Sequence, residues 1–198
     1  MKIRKADITD LDAIEKIYND IHTAEESGAW TVGWIRGVYP TRETAESAIS
    51  RGDMFVLEDG HVLGAGIINR TQVDVYSGAP WEHETDAVCV LHTLVISPQA
   101  AGKGYGRAFV EFYEQWAMDH GLPELRIDTN ARNRAARAMY RKMGFQEIGV
   151  VPTTFNGIPG VDLVLLEKNL EGRSADTAAA DENNSLPSRE KDHAHRSR

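Results

Sequence analysis

Three glycines at alternate positions, Gly102, Gly104 and Gly106, stand between an apolar run and an amphipathic one. Residues 87–96 are apolar and rich in β-branched side chains, which reads as a buried strand that Ser97 and Pro98 stop. Phe109, Phe112, Tyr113, Trp116 and Ala117 then fall on one face of a helix. A glycine turn entering a helix exposes the first backbone N–H groups, which have no acceptor inside the helix, at the positive end of its dipole. Without Cβ atoms in the way, such a turn suits a phosphate or diphosphate. Each charge-assisted hydrogen bond contributes about 1.5–3 kcal/mol, so three or four would hold a diphosphate firmly. Lys103 adds mobile positive charge. The spacing is neither the Gly-x-Gly-x-x-Gly of a dinucleotide fold nor a turn ending in Gly-Lys-Ser/Thr. Taken alone, it fits a plain flexible turn equally well.

The wider pattern is more specific. Leu94, Ile96 and Pro98, followed by Ala101, Gly102, Gly104 and Gly106, resemble the core motif of the GNAT superfamily of N-acyltransferases, an apolar strand leading into Arg/Gln-Gly-x-Gly-x-Gly and a helix. A second motif of that family follows in order, with Asn133, Ala136, Tyr140, Gly144 and Phe145 at the matching positions. The resemblance covers residues 1–170 and implies acetyl-CoA as cofactor. It implies an α/β (α+β) fold, the acyl-CoA N-acyltransferase fold. This has a mixed, mostly antiparallel central sheet with helices on both faces, whose two central parallel strands, 88–96 and 125–130, splay apart. The cofactor-binding set it implies is Leu94, Val95 and Ile96 on the strand, Ala101, Gly102, Lys103, Gly104, Tyr105, Gly106 and Arg107 in the turn, and Asn133 and Tyr140 beyond. Ala101 departs from the family's Gln or Arg, which weakens the turn without removing its backbone donors.

Direct transfer to a primary amine requires a base for the amine, polarisation of the thioester carbonyl and a proton for the departing thiolate. Tyr140, at the position of the family's tyrosine, is protonated at neutral pH and is the expected donor. The family often carries a carboxylate where this chain has His92, and a histidine is a capable base near neutrality. Glu84 and Asp86 are the alternative bases, acting through a water. Asp128 and Asn130, at the end of the neighbouring strand, are placed to orient the acceptor. Trp30 and Trp34 offer a wall for the acceptor, or simply pack their loop against the sheet. No metal ligation is expected from the spacing, and Cys89, inside the apolar run, reads as a small core residue. A non-catalytic acyl-CoA-binding sensor is the alternative to an N-acetyltransferase.

The elements that must position these residues follow from periodicity. Residues 2–5 form a short strand, and Leu11, Ile14, Tyr18 and Ile21 line a helix reaching Glu26. A second helix opens at Pro40–Thr41 and stops before Gly52. Residues 54–58 and 61–69 make a hairpin across Asp59-Gly60, with Gly64 and Gly66 marking a bulge or a close backbone approach. Residues 70–86 read as a loop over the mouth of the site. After the strand at 125–130 and the helix of the second motif, strands at 145–151 and 161–166 are joined by a loop holding Pro152, Gly157, Pro159 and Gly160. Residues 171–198 lack aromatics and read as a disordered tail.

With 198 residues and a net charge of −8, the chain reads as one domain with no basic face for nucleic acid and no match for an anionic membrane. Its single cysteine and its charged first 12 residues, which suggest no signal peptide, fit a cytoplasmic setting. A small-molecule amine is the expected acceptor, and a homodimer is a possible assembly.

Overall fold

A computed structural model describes residues 1–171; of the expected tail at 171–198, all but its first residue lies outside the described residues. Seven strands form one sheet in the order β1-β2-β3-β4-β5-β7-β6. They are β1 (Lys2–Lys5), β2 (Met54–Glu58), β3 (Val62–Asn69), β4 (Val88–Ile96), β5 (Glu124–Asn130), β6 (Gln146–Phe155) and β7 (Ile158–Asn169). Among the described strands only β4 and β5 pair in parallel, as the family resemblance implies. The connection between them is α3 (Tyr105–Asp119), a crossover helix that parallel strands require.

Alternation along β2 shows how the two layers arise. Phe55 and Leu57 enter one core with Phe109, Val110 and Tyr113 of α3 and with Tyr140 of α4 (Arg134–Lys142). Met54 and Val56 enter the opposite core with α1 (Leu11–Glu26) and α2 (Arg42–Arg51). Period-two alternation in a strand thus places two helices on each face. Cys89 is fully buried, and burial pushes its thiol up to about 12, so it is an inert core residue at neutral pH.

The expected loop between the last two strands is instead hairpin. β6 runs on to Phe155, Asn156 and Gly157 make the turn, and β7 resumes at Ile158. Asn156 and Gly157 have φ of 50° and 79°, the left-handed pair that a two-residue turn demands. Pro152 fits because β6 is the edge strand, where a missing N–H breaks no inner ladder. Pro159 lies in the part of β7 that extends past β5, whose pairing ends at Asn130 opposite Leu163. Proline and glycine marked these positions as loop because their local preference says nothing about an edge.

Candidate active site

The site begins where β4 and β5 part. Their register runs from Val88 opposite Glu124 to Leu91 opposite Ile127 and stops there. Beyond that point β4 carries one extra residue relative to β3, which pairs Ala65 with Val95 but Ile67 with His92. Thr93 sits in this bulge at φ 49°, a costly conformation for a β-branched residue. The Tyr39 hydroxyl shares a short hydrogen bond with its Oγ1. Gly66 lies opposite the bulge, where a Cβ would come within 2.8 Å of the Phe109 ring. Both readings of Gly66, bulge and close approach, therefore hold.

The bulge frees backbone. Ser97 donates its N–H to Leu63 on the β3 side at 2.7 Å. Because alternate residues point to opposite edges, Leu94 and Ile96 turn their amides and carbonyls toward the gap that β5 has left. Val95 instead faces β3 through its backbone and packs its side chain under α1. The expected contact strand thus presents Leu94 and Ile96 with Val95 behind them.

At the end of β4 the chain turns through Pro98–Ala100 into α3. Gly102 and Gly104 have φ of 76° and 86°, and a Cβ at either would meet nothing within 4 Å. Glycine is needed here for the backbone conformation, and the space outside the turn is open. The amides of Gly102, Lys103, Gly104, Tyr105, Gly106 and Arg107 meet no protein acceptor among the described residues. Ala101 differs: its N–H is already directed to the Pro98 carbonyl at 3.3 Å, so it leaves the expected set of donors. Lys103 is exposed. Tyr105 donates its hydroxyl to Asp59 in the β2–β3 turn, and Arg107 pairs with Glu111 one turn on, so both side chains are engaged.

A cavity of about 600 Å³ occupies the gap and is bordered by His92, Thr93, Leu94, Asp128, Asn130, Asn133 and Tyr140. Asn133 caps α4, accepting the Ala136 N–H at 3.2 Å, and holds that helix against the cavity. Tyr140 is buried, and burial with the nearby Asp128 charge holds its hydroxyl well above the ordinary tyrosine range. It is a phenol at any working pH, the form a proton donor needs.

His92 Nε2 lies 3.0 Å from the Thr71 carbonyl and 3.2 Å from Asn69 Oδ1. The Asn69 amide is oriented by two further contacts, Nδ2 to Asp53 and Oδ1 from the Thr71 N–H. Both neighbours of Nε2 are therefore acceptors, which puts the imidazole proton on Nε2 and the lone pair on Nδ1. Burial lowers the histidine below its usual value, opposed by Thr71 and Asp53, so the ring is neutral near pH 7.

Asp128 carries more weight than its sequence position suggested. It borders the cavity, accepts the Tyr76 hydroxyl at 2.9 Å through Oδ2, and leaves Oδ1 without a donor among the described residues. Burial raises its carboxyl to about 6, against the pull of the Tyr76 hydrogen bond. Tyr76 was a plain loop residue in the sequence; here it is buried in a short helical turn and supports this carboxylate. Asn130 points its Oδ1 at the Arg132 N–H. A Cβ on Gly33 would fall 2.2 Å from Asn130 Nδ2, so the aromatic segment presses directly on the end of β5.

That segment splits between its two readings. Val32, Gly33, Trp34 and Tyr39 border the cavity, while Trp30 packs on the α1 core instead. Glu84 and Asp86 are exposed and outside the cavity. The loop carrying them is a lid only at its start, where Thr71 and Val73 reach the cavity. Its far end crosses to the opposite end of the strands, where His83 approaches Glu124 at the start of β5. Distance along the sheet therefore removes Glu84 and Asp86 as bases.

Split parallel strands, a bare amide turn at their mouth and a buried phenol beside a carboxylate define the architecture of an acyl-transfer enzyme. The chain belongs to the acetyltransferase (GNAT) family, whose sequence model matches residues 11–145. Aminoglycoside N(6′)-acetyltransferase type 1 of Stenotrophomonas maltophilia is 30% identical over 132 residues, covering 63% of this chain and 83% of that protein. Streptothricin acetyltransferase of Escherichia coli is 29% identical over 104 residues, 52% of this chain and 58% of that one. Among solved structures, a GNAT-family acetyltransferase of Streptococcus agalactiae superposes with a TM-score of 0.73 at 25% identity, covering 86% of this chain and 95% of that one. YncA of Salmonella typhimurium, solved with its cofactor acetyl-CoA, shares the fold with a TM-score of 0.64 at 18% identity, covering 86% and 94%.

Proposed function

We propose that this acetyltransferase moves the acetyl group of acetyl-CoA directly to a primary amine of a small, polar molecule. The observation that carries the reading is the pairing, across one cavity, of a protonated Tyr140 with a carboxylate, Asp128, titrating at about 6. Acetyl-CoA supplies the activated acetyl thioester. The free amides from Gly102 to Arg107 hold its diphosphate, and the edge of β4 at Leu94 and Ile96 receives its extended arm.

The residues divide the proton work. Asp128 attracts the ammonium form of the acceptor and, ionised above pH 6, takes its proton. His92, neutral with its lone pair on Nδ1, is the second base candidate. Tyr140 delivers a proton to the departing sulfur. Trp34 and Tyr39, in edge-to-face contact at 6.0 Å, form an aromatic wall that favours a cation, and Asn69 and Asn130 offer amides to neutral polar groups. A cavity of this size suits a small molecule, and the two relatives named for aminoglycoside and streptothricin acetylation support that class. With no helix among the described residues able to cross a membrane, a cytoplasmic enzyme fits.

Thiol release from acetyl-CoA across a panel of polyamines, aminoglycosides, amino acids and N-terminal peptides tests the reading. Saturable turnover with a small amine, reduced in Tyr140→Phe while CoA binding stays, is the expected result. Turnover confined to peptides would overturn the small-molecule assignment, and CoA binding with no turnover on any amine would make the protein a sensor.

A further inference from the structure

The end of the sheet opposite the cavity carries a second cluster that acetyl transfer does not use. Glu124 pairs with Asn169 across β5 and β7, and Arg126 with Glu167. Residues two apart share a face, so these four polar groups lie together on one face of otherwise apolar strands. Glu124 and Glu167 are 0% and 2% exposed. Asn169 donates to Glu124 Oε2 at 3.0 Å, and the Glu82 amide donates to Glu167 Oε1 at 2.8 Å. That leaves Glu124 Oε1 and Glu167 Oε2 buried without a hydrogen-bond partner.

Arg126 does not answer them. Its Nη1 is bonded to Gln72, its Nη2 donates to the His83 carbonyl at 3.1 Å, and its guanidinium lies over the Trp81 ring at 3.9 Å. Its Nε is also without a partner, so the guanidinium and the two carboxylates are neighbours that do not pair. Contacts to Glu167 and Arg126 hold the backbone at residues 82–83 from both sides. They set the Glu82 and His83 side chains beside the two buried carboxylates. One ligand atom from each of Glu82, His83 and Glu167 lies within 4.8 Å of the others, and His83 Nδ1 is 3.7 Å from Glu124 Oε2. A separate cavity of about 420 Å³ opens here, bordered by Glu82, His83 and Glu167. A buried carboxylate with one oxygen left bare is costly, and two side by side repel each other; a bound cation relieves both.

We infer that Glu82, His83 and Glu167 form a zinc-type divalent metal site, with Glu124 as the adjacent buried anion. One imidazole with carboxylate oxygens is a donor set for zinc, whereas magnesium favours oxygen ligands alone and retains water. Tetrahedral ligands at about 2.1 Å from an ion stand roughly 3.4 Å apart, so the exposed Glu82 and His83 side chains close in by about 1 Å on binding. The ion then ties the loop at residues 82–83 to β7. The spacing in sequence concealed this, because two ligands are adjacent and the third is some eighty positions away.

Calorimetric titration of the full-length, metal-free protein with zinc, repeated with magnesium, tests the site. One zinc per chain is expected to bind more tightly than about 10 μM, to raise the unfolding temperature and to leave acetyl transfer unchanged, with no response to magnesium. His83→Ala and Glu82→Ala, both at exposed positions, and Glu167→Gln should each weaken zinc at least tenfold. A variant with both His193→Ala and His195→Ala, which lie in the sequence beyond the described residues, should not. Zinc binding weaker than about 10 μM overturns the proposal. So does affinity unaffected by His83→Ala and Glu82→Ala, or affinity lost only with the two tail histidines.

Discussion

The two ends of the β4–β5 pair make opposite use of one ladder. From Val88 to Leu91 the strands are bonded to each other and flanked by buried charges at Glu124, Arg126 and Glu167. From His92 onward they part, and the gap holds a cavity with a carboxylate, a phenol and free backbone donors. The difference comes from one extra residue at Thr93, held at positive φ. A closed ladder satisfies its own amides, whereas an open one keeps them for a ligand. The closed end therefore governs stability and the open end chemistry, and substitutions should separate accordingly.

The largest effect is expected at the open end. Tyr140→Phe should lower kcat by about 100-fold or more, with CoA affinity and the circular dichroism spectrum unchanged. At the closed end, Arg126→Ala should do the reverse. It removes the guanidinium that bonds Gln72 and the His83 carbonyl and covers the Trp81 ring, and should cost about 2–3 kcal/mol in chemical denaturation, while the remaining folded enzyme keeps its turnover.

Asp128→Asn sharpens the comparison, because its carboxylate burdens the fold that it serves. In the fold this group titrates at about 6, above its ordinary value of 3.8. A raised carboxyl destabilises the protein fully above pH 6, and the penalty fades as pH falls and is gone below about 4. The variant should therefore gain up to about 3 kcal/mol at pH 8 and nothing near pH 4, read by thermal unfolding at both pH values. Its kcat should fall, and the rise of kcat/KM with pH through about 6 should vanish. If that limb disappears instead in His92→Gln, His92 is the base.

Smaller effects probe the turn. Gly104→Val places a β-branched side chain at φ 86° beside the free amides and should weaken CoA binding about tenfold in calorimetry. Ala101→Gln restores the family's side chain where the backbone N–H is already engaged by Pro98, and should tighten CoA by no more than a few-fold.

Much of this was legible in residue order. The strand–turn–helix of the glycine motif, the two-faced helices and the hairpin at Asp59-Gly60 follow from local periodicity, and each appears in the fold within a few residues. Gly66 announced the bulge, since a glycine in a strand asks for a nearby backbone or ring. The misplaced elements share a cause. Pro152 and Pro159 read as loop because tolerance of proline depends on which strand lies at the edge, a property of the whole sheet. Glu84 and Asp86 stood as alternatives to His92, yet they precede β4, and a strand carries its start and its end to opposite sides of the molecule.

By itself, the sequence determined the strands, the helices and the glycine turn, because side-chain period and glycine spacing are local quantities; the family and its parallel pair entered through the resemblance that the two motifs carry. Only the tertiary structure decided which polar groups share a cavity. Asp128 and Tyr76 meet across 52 positions, and Glu82 and Glu167 across 85. The raised titration of Asp128 and the bare oxygen of Glu167 come from burial, and burial is a property of the packed sheet that no single segment carries.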